Sequence, residues 1–455
     1  MQLIHYILGK LLRSLSKIFT LSTLGKILGL VKIQLLTFYF GANAFTDALI
    51  IVLNIFWFWS NEIIYSLFSN TLIPKLAKLK DEDQRLIETF NIFKSANILS
   101  FTFFLLAIIL NIYIVRLFAP SASNEFYSYS KWLIIYLSPI ALLIPLTEIF
   151  TLYNQYKEKY FISTINMSVW NTFQIVAILI SIYIFNKDIN NLILFYSIFT
   201  IIGYLVTAHL QLNYSRYYHK FKVIDLISIN LNGFFTQIKS NYKFLLSTIL
   251  FQLNIYINLA FISKLDSGYI TIYDIVVKIP NVFQSLLLSS LTIIFFNKIS
   301  NDEKMLDYNF KKFSLGIFLL VLPLVLIVSV YGLDILNLIY GSKVFVNRVG
   351  VYELIVIAFI NIYFMGKISL LIKSLILLNK PNILIISTLL GVIINAVVNF
   401  YFIDLFGLKG IITTTTIVNF ILMSILQYNV LSRFTLFRLI PIDLLFVLFI
   451  LYINL

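Results

Sequence analysis

Thirteen stretches of this chain are apolar enough, and long enough, to cross a lipid bilayer. They lie near residues 17–40, 46–72, 92–117, 131–154, 160–186, 190–213, 243–264, 268–297, 313–338, 350–378, 382–404, 408–430 and 438–455. A helix needs about 20 predominantly apolar residues to span the hydrocarbon core. Inside that core every backbone polar group must be satisfied internally, so spans that are not helices must close into barrels. Barrel strands read as short alternating segments, and these runs do not alternate. The fold class is therefore all-α, a polytopic membrane protein of about 13 transmembrane helices. Composition agrees: 60% of the 455 residues are hydrophobic and 12% are charged, about half the charged share of a soluble domain.

Several turn signals separate the spans, among them GAN at 41–43, NKDINN at 186–191, LDSG at 265–268 and FGLKG at 406–410. With the N-terminus placed in the cytoplasm, cytoplasmic segments hold about three times as many of the 34 Lys and Arg residues as external ones. That orientation accounts for the net charge of +14 without nucleic acid as a partner. Residues 1–16 read as an amphipathic helix lying in the cytoplasmic interface. The longest polar connection, 214–242, divides the chain into an N-lobe of six spans (17–213) and a C-lobe of six (243–430), with residues 431–455 as an extra C-terminal span. The halves echo each other loosely. Span 2 ends in LIPKLAKLKDED and span 8 in FFNKISNDEK. Two lobes of this kind suit a transporter that rocks about a central site.

The informative residues are charges inside spans. A lysine at the bilayer centre costs about 2.5–3.5 kcal/mol on the insertion scale. Lys26, Lys32, Lys278, Lys367 and Lys373 must therefore line a hydrated cavity, pair with acids or snorkel. Lys373 lies near a span end, where snorkelling suffices. Lys26 and Lys32 are six residues apart, about 9 Å along a helix axis, and both can border one wide cavity. The acids within reach are Asp47, Glu62, Glu148, Asp274 and Glu353. The bland reading makes each lysine a member of an internal ion pair. The functional reading leaves surplus positive charge for an anionic ligand. Gly25 and Gly29 flank Lys26 as a small-xxx-small pair that lets helices approach closely. Pro139, Pro145, Pro280 and Pro323 interrupt spans, and Pro280 is placed to present Lys278. Asn254, Asn395, Asn399 and Thr415 form a polar cluster that either ligates an ion or ties helices together.

Enzyme classes find little support. The acidic run Asp81–Glu82–Asp83 sits among lysines, where a solvated loop explains it. His5, His209 and His219 have no candidate catalytic partner. There is no cysteine for thiol chemistry or a thiolate metal site, and no Gly-rich phosphate loop.

The stretch GKILGLVKIQLLTFYFGANAFTDALIIVLN, continuing to FSNTLIPKLAKLK, resembles the N-terminal signature of the MurJ/MviN family, lipid II flippases of the multidrug/oligosaccharidyl-lipid/polysaccharide exporter superfamily. Lys26 and Lys32 stand at two arginines of the family pattern, with Leu28, Gly29, Phe40, Gly41, Ala42, Thr46, Asp47, Ala48 and Pro74 in register. Residues 272–300 resemble the family's span 8. The resemblance implies two lobes about a cationic cavity and a flippase, not an enzyme. The substrate would be an undecaprenyl-pyrophosphate-linked saccharide, moved from the inner to the outer leaflet by alternating access. Lys26, Lys32, Asn61, Lys278 and Lys367 would bind it, while Gly25, Gly29, Gly41, Asp47 and Pro280 would serve gating and packing. It further implies a bacterial inner-membrane location, membrane lipids and cell-wall synthesis proteins as partners, and no cofactor. Membrane potential or an ion gradient would drive transport. Departures from the pattern are specific. Neutral Ser60 and Asn61 fall near the family's arginine pair. Ile275 falls near its span 8 arginine, with Lys278 one turn on. Asn254 and Asn399 stand near acids that hold sodium in some relatives. These departures keep two alternatives in view, an O-antigen or capsule precursor flippase and a multidrug/cation antiporter of the same superfamily.

Overall fold

A computed structural model describes residues 23–215, 222–301, 305–340, 351–378 and 380–431, together with Asp443, Leu444 and Phe446. The expected interfacial helix at 1–16 and most of the expected last span lie outside the described residues. Twelve long helices can be followed. They are α1 (Thr23–Phe40), α2 (Ala44–Lys78), α3 (Glu82–Ile109), α4 (Asn124–Leu137), α5 (Ile140–Tyr156), α6 (Asn166–Tyr183), α7 (Ile189–Tyr214), α8 (Leu231–Ile262), α9 (Tyr269–Asn301), α10 (Leu306–Tyr340), α11 (Val351–Leu377) and α12 (Pro381–Val430). Among the described residues no strand occurs. Among the described residues nine helices are long and apolar enough to cross a membrane, or ten if the bent pair α4–α5 is one span.

The expected spans and the observed helices correspond closely where hydropathy is uniform. α4 and α5 meet at 57°, at Ser138–Pro139, where the proline ring breaks the backbone ladder. The other three prolines expected to interrupt spans do not. Pro145, Pro280 and Pro323 lie inside continuous helices, where neighbouring helices can re-satisfy the freed carbonyls. α12 is two helices joined at Gly407, whose φ of +56° lies in the left-handed region that glycine tolerates. The break matches the expected boundary between spans 11 and 12.

By internal contacts the chain forms two compact units. One comprises Met1–Leu117 and Ser123–Thr248, the other Phe118–Ala122 and Ile249–Leu455. The long polar connection is more structured than its composition suggests. Val223–Ile227 forms a 3₁₀ turn, and α8 starts at Leu231, well before the apolar stretch expected at 243. The turn is held to α3 by Asn97 Nδ2, which donates to the carbonyls of Asp225 and Ser228 at 2.9 and 2.8 Å.

The GAN turn shows how local sequence sets helix ends. Gly41 has φ +79° and its N–H donates to Thr37 O at 3.0 Å, closing α1. Asn43 caps α2. Its side-chain oxygen accepts from the N–H groups of Phe45 and Thr46, and Thr46 Oγ1 accepts from the Asn43 N–H at 2.9 Å. That is a reciprocal capping box. Asp47 follows in the first turn, where a carboxylate is favoured by the helix dipole.

Candidate functional site

In the first unit Gly25, Gly29 and Lys32 of α1 meet a polar seam on α6. Ser168, Asn171 and Gln174 recur every three residues on that otherwise apolar helix, so they share one face. Gly25 and Gly29 allow the approach. A Cβ on Gly25 would lie 3.2 Å from Met167 and Ser168, and one on Gly29 would lie 3.3 Å from Asn171 Nδ2. Asn171 Nδ2 donates to Gly25 O at 2.9 Å. One turn further along, Lys32 Nζ donates to Gln174 Oε1 at 2.8 Å. Lys32 therefore has a neutral amide fixing its ammonium. Lys26 is half-buried and, among the described residues, makes no hydrogen bond or ion pair. Asn171 and Gln174 were not singled out from sequence. The three-residue polar spacing within an apolar span was the available signal.

Span 2 contributes a second feature. Residues Phe58–Tyr65 wind as a π-helix in the middle of α2. Such turns hold one extra residue per turn and occur often at functional sites. Ser60, at the first of the two neutral positions, is buried and donates to Glu148 Oε1 on α5 at 2.7 Å. Asn61 beside it is half-buried, and its amide has no protein partner among the described residues.

Two lysines of the second unit are treated differently. Lys278 pairs with Asp274 one turn back on α9, at 2.7 Å. Lys367 is 0% exposed and pairs with Asp443 at 2.5 Å, while Tyr363 Oη donates to the same carboxylate oxygen at 2.6 Å. This corrects Lys367 as a ligand-binding residue, because its ammonium is fully enclosed and already matched by an opposite charge. Its partner was missing from the acids considered from sequence. Glu353 is likewise matched, by Lys409 at 2.5 Å.

The asparagine cluster is a hydrogen-bonded network. Asn395 Nδ2 donates to Asn254 O and Oδ1 at 3.0 and 3.3 Å. Asn399 Nδ2 donates to Asn258 Oδ1 and Asn395 Oδ1, both at 2.8 Å. Asn258 Nδ2 donates to Thr415 Oγ1 at 2.8 Å. The side-chain oxygens that an ion would need on Asn254, Asn258 and Asn395 already accept from amides, so this arrangement joins α8 to α12. Asn399 Oδ1 is buried without a partner. Among the described residues no group of three His, Cys, Asp or Glu side chains could hold a metal.

A cavity of about 500 Å³ opens between α9 and α11, lined by Asn281, Gln284, Ser285, Thr292, Ser369 and Lys373, with two apolar side chains. Lys373 was expected to snorkel. It lines this cavity and stands 5.7 Å from the Phe296 ring centroid. The polar residues on α9 follow Pro280 at i, i+3 and i+4 spacing, a pattern that sequence reading passed over.

The family model described as lipid II flippase MurJ matches residues 36–453. The chain belongs to the MurJ family. Gly41, Asp47, Asn61, Lys278 and Lys367 fall inside the matched range, whereas Lys26 and Lys32 precede it. Among solved structures, the chain is similar to a lipid II flippase MurJ in an inward closed conformation, with 18% identity, a TM-score of 0.78, and coverage of 96% of this chain and 92% of that one. It is also similar to an inward-facing multidrug resistance MATE transporter of the MOP superfamily, with 13% identity, a TM-score of 0.60, and coverage of 89% and 91%. A third similar structure is a MOP superfamily transporter from Pyrococcus furiosus, described as having a binding pocket of reversed polarity. It has 10% identity, a TM-score of 0.61, and coverage of 92% and 95%. At these identities the likenesses describe the fold. No curated protein sequence matches.

Proposed function

We propose that this MurJ-family chain is a lipid II flippase, carrying an undecaprenyl-pyrophosphate-linked saccharide from the inner to the outer leaflet by alternating access. It acts as a transporter and not an enzyme, in a bacterial cytoplasmic membrane with its N-terminus inside. The observation that carries this reading is Lys26. An ammonium in a membrane helix, half-buried and without a protein counter-charge among the described residues, is expensive unless a ligand or water supplies compensation. Lys32, steadied by Gln174, adds a second positive charge on the same helix. Two ammonium groups six residues apart suit a diphosphate, whose charge is spread over several oxygens. Lysine binds such a group as a point charge and not through a planar fork, so the pair fixes charge more than orientation. The amide of Asn61 offers a neutral hydrogen bond of the kind a saccharide takes.

The test is transport by full-length protein reconstituted in vesicles with a lipid-linked substrate. Lys26→Ala abolishes transport while the protein inserts normally, and Lys26→Arg retains it. Normal transport by the alanine variant overturns the assignment. Ser60 and Asn61, neutral where the family carries arginines, favour a second reading in which the head group is an O-antigen or capsule precursor. Depleting the protein separates the two. Lipid II accumulates on the inner leaflet under the first reading, whereas another lipid-linked saccharide accumulates, with normal peptidoglycan, under the second.

A further inference from the structure

Glu148 has no part in the scheme above, yet it is one of the most enclosed charged side chains in the first unit. It sits mid-way along α5, 5% exposed. Its described partner is one neutral hydroxyl, Ser60 Oγ, at 2.7 Å. Among the described residues no Lys, Arg or His lies within ion-pair distance. A carboxylate taken out of water without a counter-charge is very costly, and such groups are neutralised instead.

Three agents could neutralise it: a basic side chain, a metal ion or a proton. The basic groups on the elements packed against α5 are engaged elsewhere or, like Lys78 on α2 and His209 on α7, are exposed. On α3, Arg85 bonds Leu79 O and Lys94 stands over the Phe90 ring. On α2, Lys75 pairs with Glu88, and on α5 itself Lys157 pairs with Glu82. Lys159, before the short helix Tyr160–Thr164, donates to Tyr214 O. In the 3₁₀ turn Lys222 is exposed, and Asp225 accepts from its backbone N–H. The titratable groups near enough to feel the charge are two phenols. Tyr65 on the π-turn donates to Gln155 at 3.1 Å, and Tyr204 on α7 stacks on Trp170. Glu62, also on the π-turn, is a second acid and supplies no positive charge. A metal ion is a poor fit. Hard cations take about six oxygen ligands, and the described set here is one carboxyl and one hydroxyl.

A proton needs only this set. A serine hydroxyl carries one donor and two acceptor positions. It can donate to an ionised Glu148 and, by rotating, accept from a protonated one. The bond between α5 and the π-turn thus survives both states with its direction reversed. The π-turn is the segment that carries Asn61 and Glu62, so the charge state of Glu148 acts directly on the part of α2 that holds Asn61, one of the candidate substrate groups. Along α5, Thr151 and Asn154 continue a neutral polar face through Asn166 and Gln211, which adds hydrogen bonds without adding charge.

We propose that Glu148 is a proton-binding site, loaded in the conformation described here and emptied when the π-turn of α2 rearranges, so that proton movement inward is coupled to substrate movement outward. The coupling half of this rests on the transporter reading above; the proton-binding half does not.

Two measurements on the full-length protein test it. In lipid nanodiscs, infrared titration of wild type shows a protonated carboxyl C=O stretch at neutral pH that is absent from Glu148→Gln, and Ser60→Ala shifts the pH at which that stretch disappears. A spectrum unchanged in Glu148→Gln overturns the site. In vesicles, one proton per cycle makes a gradient of one pH unit change substrate accumulation about tenfold. Glu148→Gln transports without responding to the gradient, and Glu148→Asp keeps the response. A gradient response that persists in Glu148→Gln overturns the coupling. If wild type moves no lipid-linked saccharide, the transport assignment fails, while the infrared result still decides whether Glu148 holds a proton.

Discussion

Lysines of the two units are matched differently. In the first, Lys26 has no described counter-charge and Lys32 rests on a glutamine amide. In the second, Lys278 and Lys367 each face an aspartate. The same side chain in the same solvent thus serves two ends. A matched lysine joins pieces of the chain, and an unmatched one keeps its charge for something that arrives later. Lys367 and Asp443 are 76 residues apart and fully packed, so their pair fastens distant segments. Lys278 and Asp274 belong to one helix turn and fasten nothing beyond it. The contrast makes Lys26 the first unit's candidate for an anionic ligand, while in the second unit Lys373 lines the cavity between α9 and α11.

The largest effect that would test this contrast is expected at the enclosed pair. Asp443→Ala leaves the Lys367 ammonium buried and uncompensated, a loss of about 3–5 kcal/mol for breaking a buried pair. Replacing both partners with apolar residues of similar size restores most of the stability, measured by thermal unfolding in detergent. Equal destabilisation by the single and double changes would mean that packing, not charge, fastens this region.

Next in size is Lys26→Ala, which removes a charge-assisted contact worth about 1.5–3 kcal/mol and lowers substrate affinity roughly ten- to a hundredfold. Thermal stability stays near wild type, because no described protein partner is lost. A variant that unfolds while its ligand affinity holds would reverse the roles assigned to the two units. Gly41→Ala has a smaller effect. Its φ of +79° costs an L residue about 1–2 kcal/mol, read as a lower midpoint of unfolding with transport retained once folded.

The smallest effect is expected at Lys278. Its side chain is 38% exposed and paired within one helix turn, an arrangement worth about 0.3–0.5 kcal/mol. Lys278→Ala should leave both stability and transport within a few-fold of wild type. A transport loss as deep as that of Lys26→Ala would end the distinction between the units.

These assignments also show how far the chain could be read in advance. Spans were legible because each apolar run carries its own signal, and the GAN turn because Gly41, Asn43 and Thr46 act on backbone within five residues. Lys26 and Lys32 were legible as charges out of place. Their surroundings were not. Gln174 meets Lys32 across 142 residues, and Asp443 reaches Lys367 from a segment read only as another apolar span. Nothing local specifies either contact. The π-turn at Phe58–Tyr65 was invisible for a different reason, since its composition is that of the α-helix on either side. α8 began earlier than expected because a helix outside the hydrocarbon core need not be apolar, and hydropathy alone stops at the core's edge.

The enclosed pair also bears on how the polypeptide can be shortened. Asp443 and the Phe446 ring, which packs 4.6 Å from the ring of Tyr363, sit on a stretch that looks like a detachable tail. Cutting the chain ahead of residue 443 would strand an ammonium in oil more than seventy positions upstream. The cost of trimming would therefore appear at α11, as poor membrane insertion of a helix whose own sequence had not been touched.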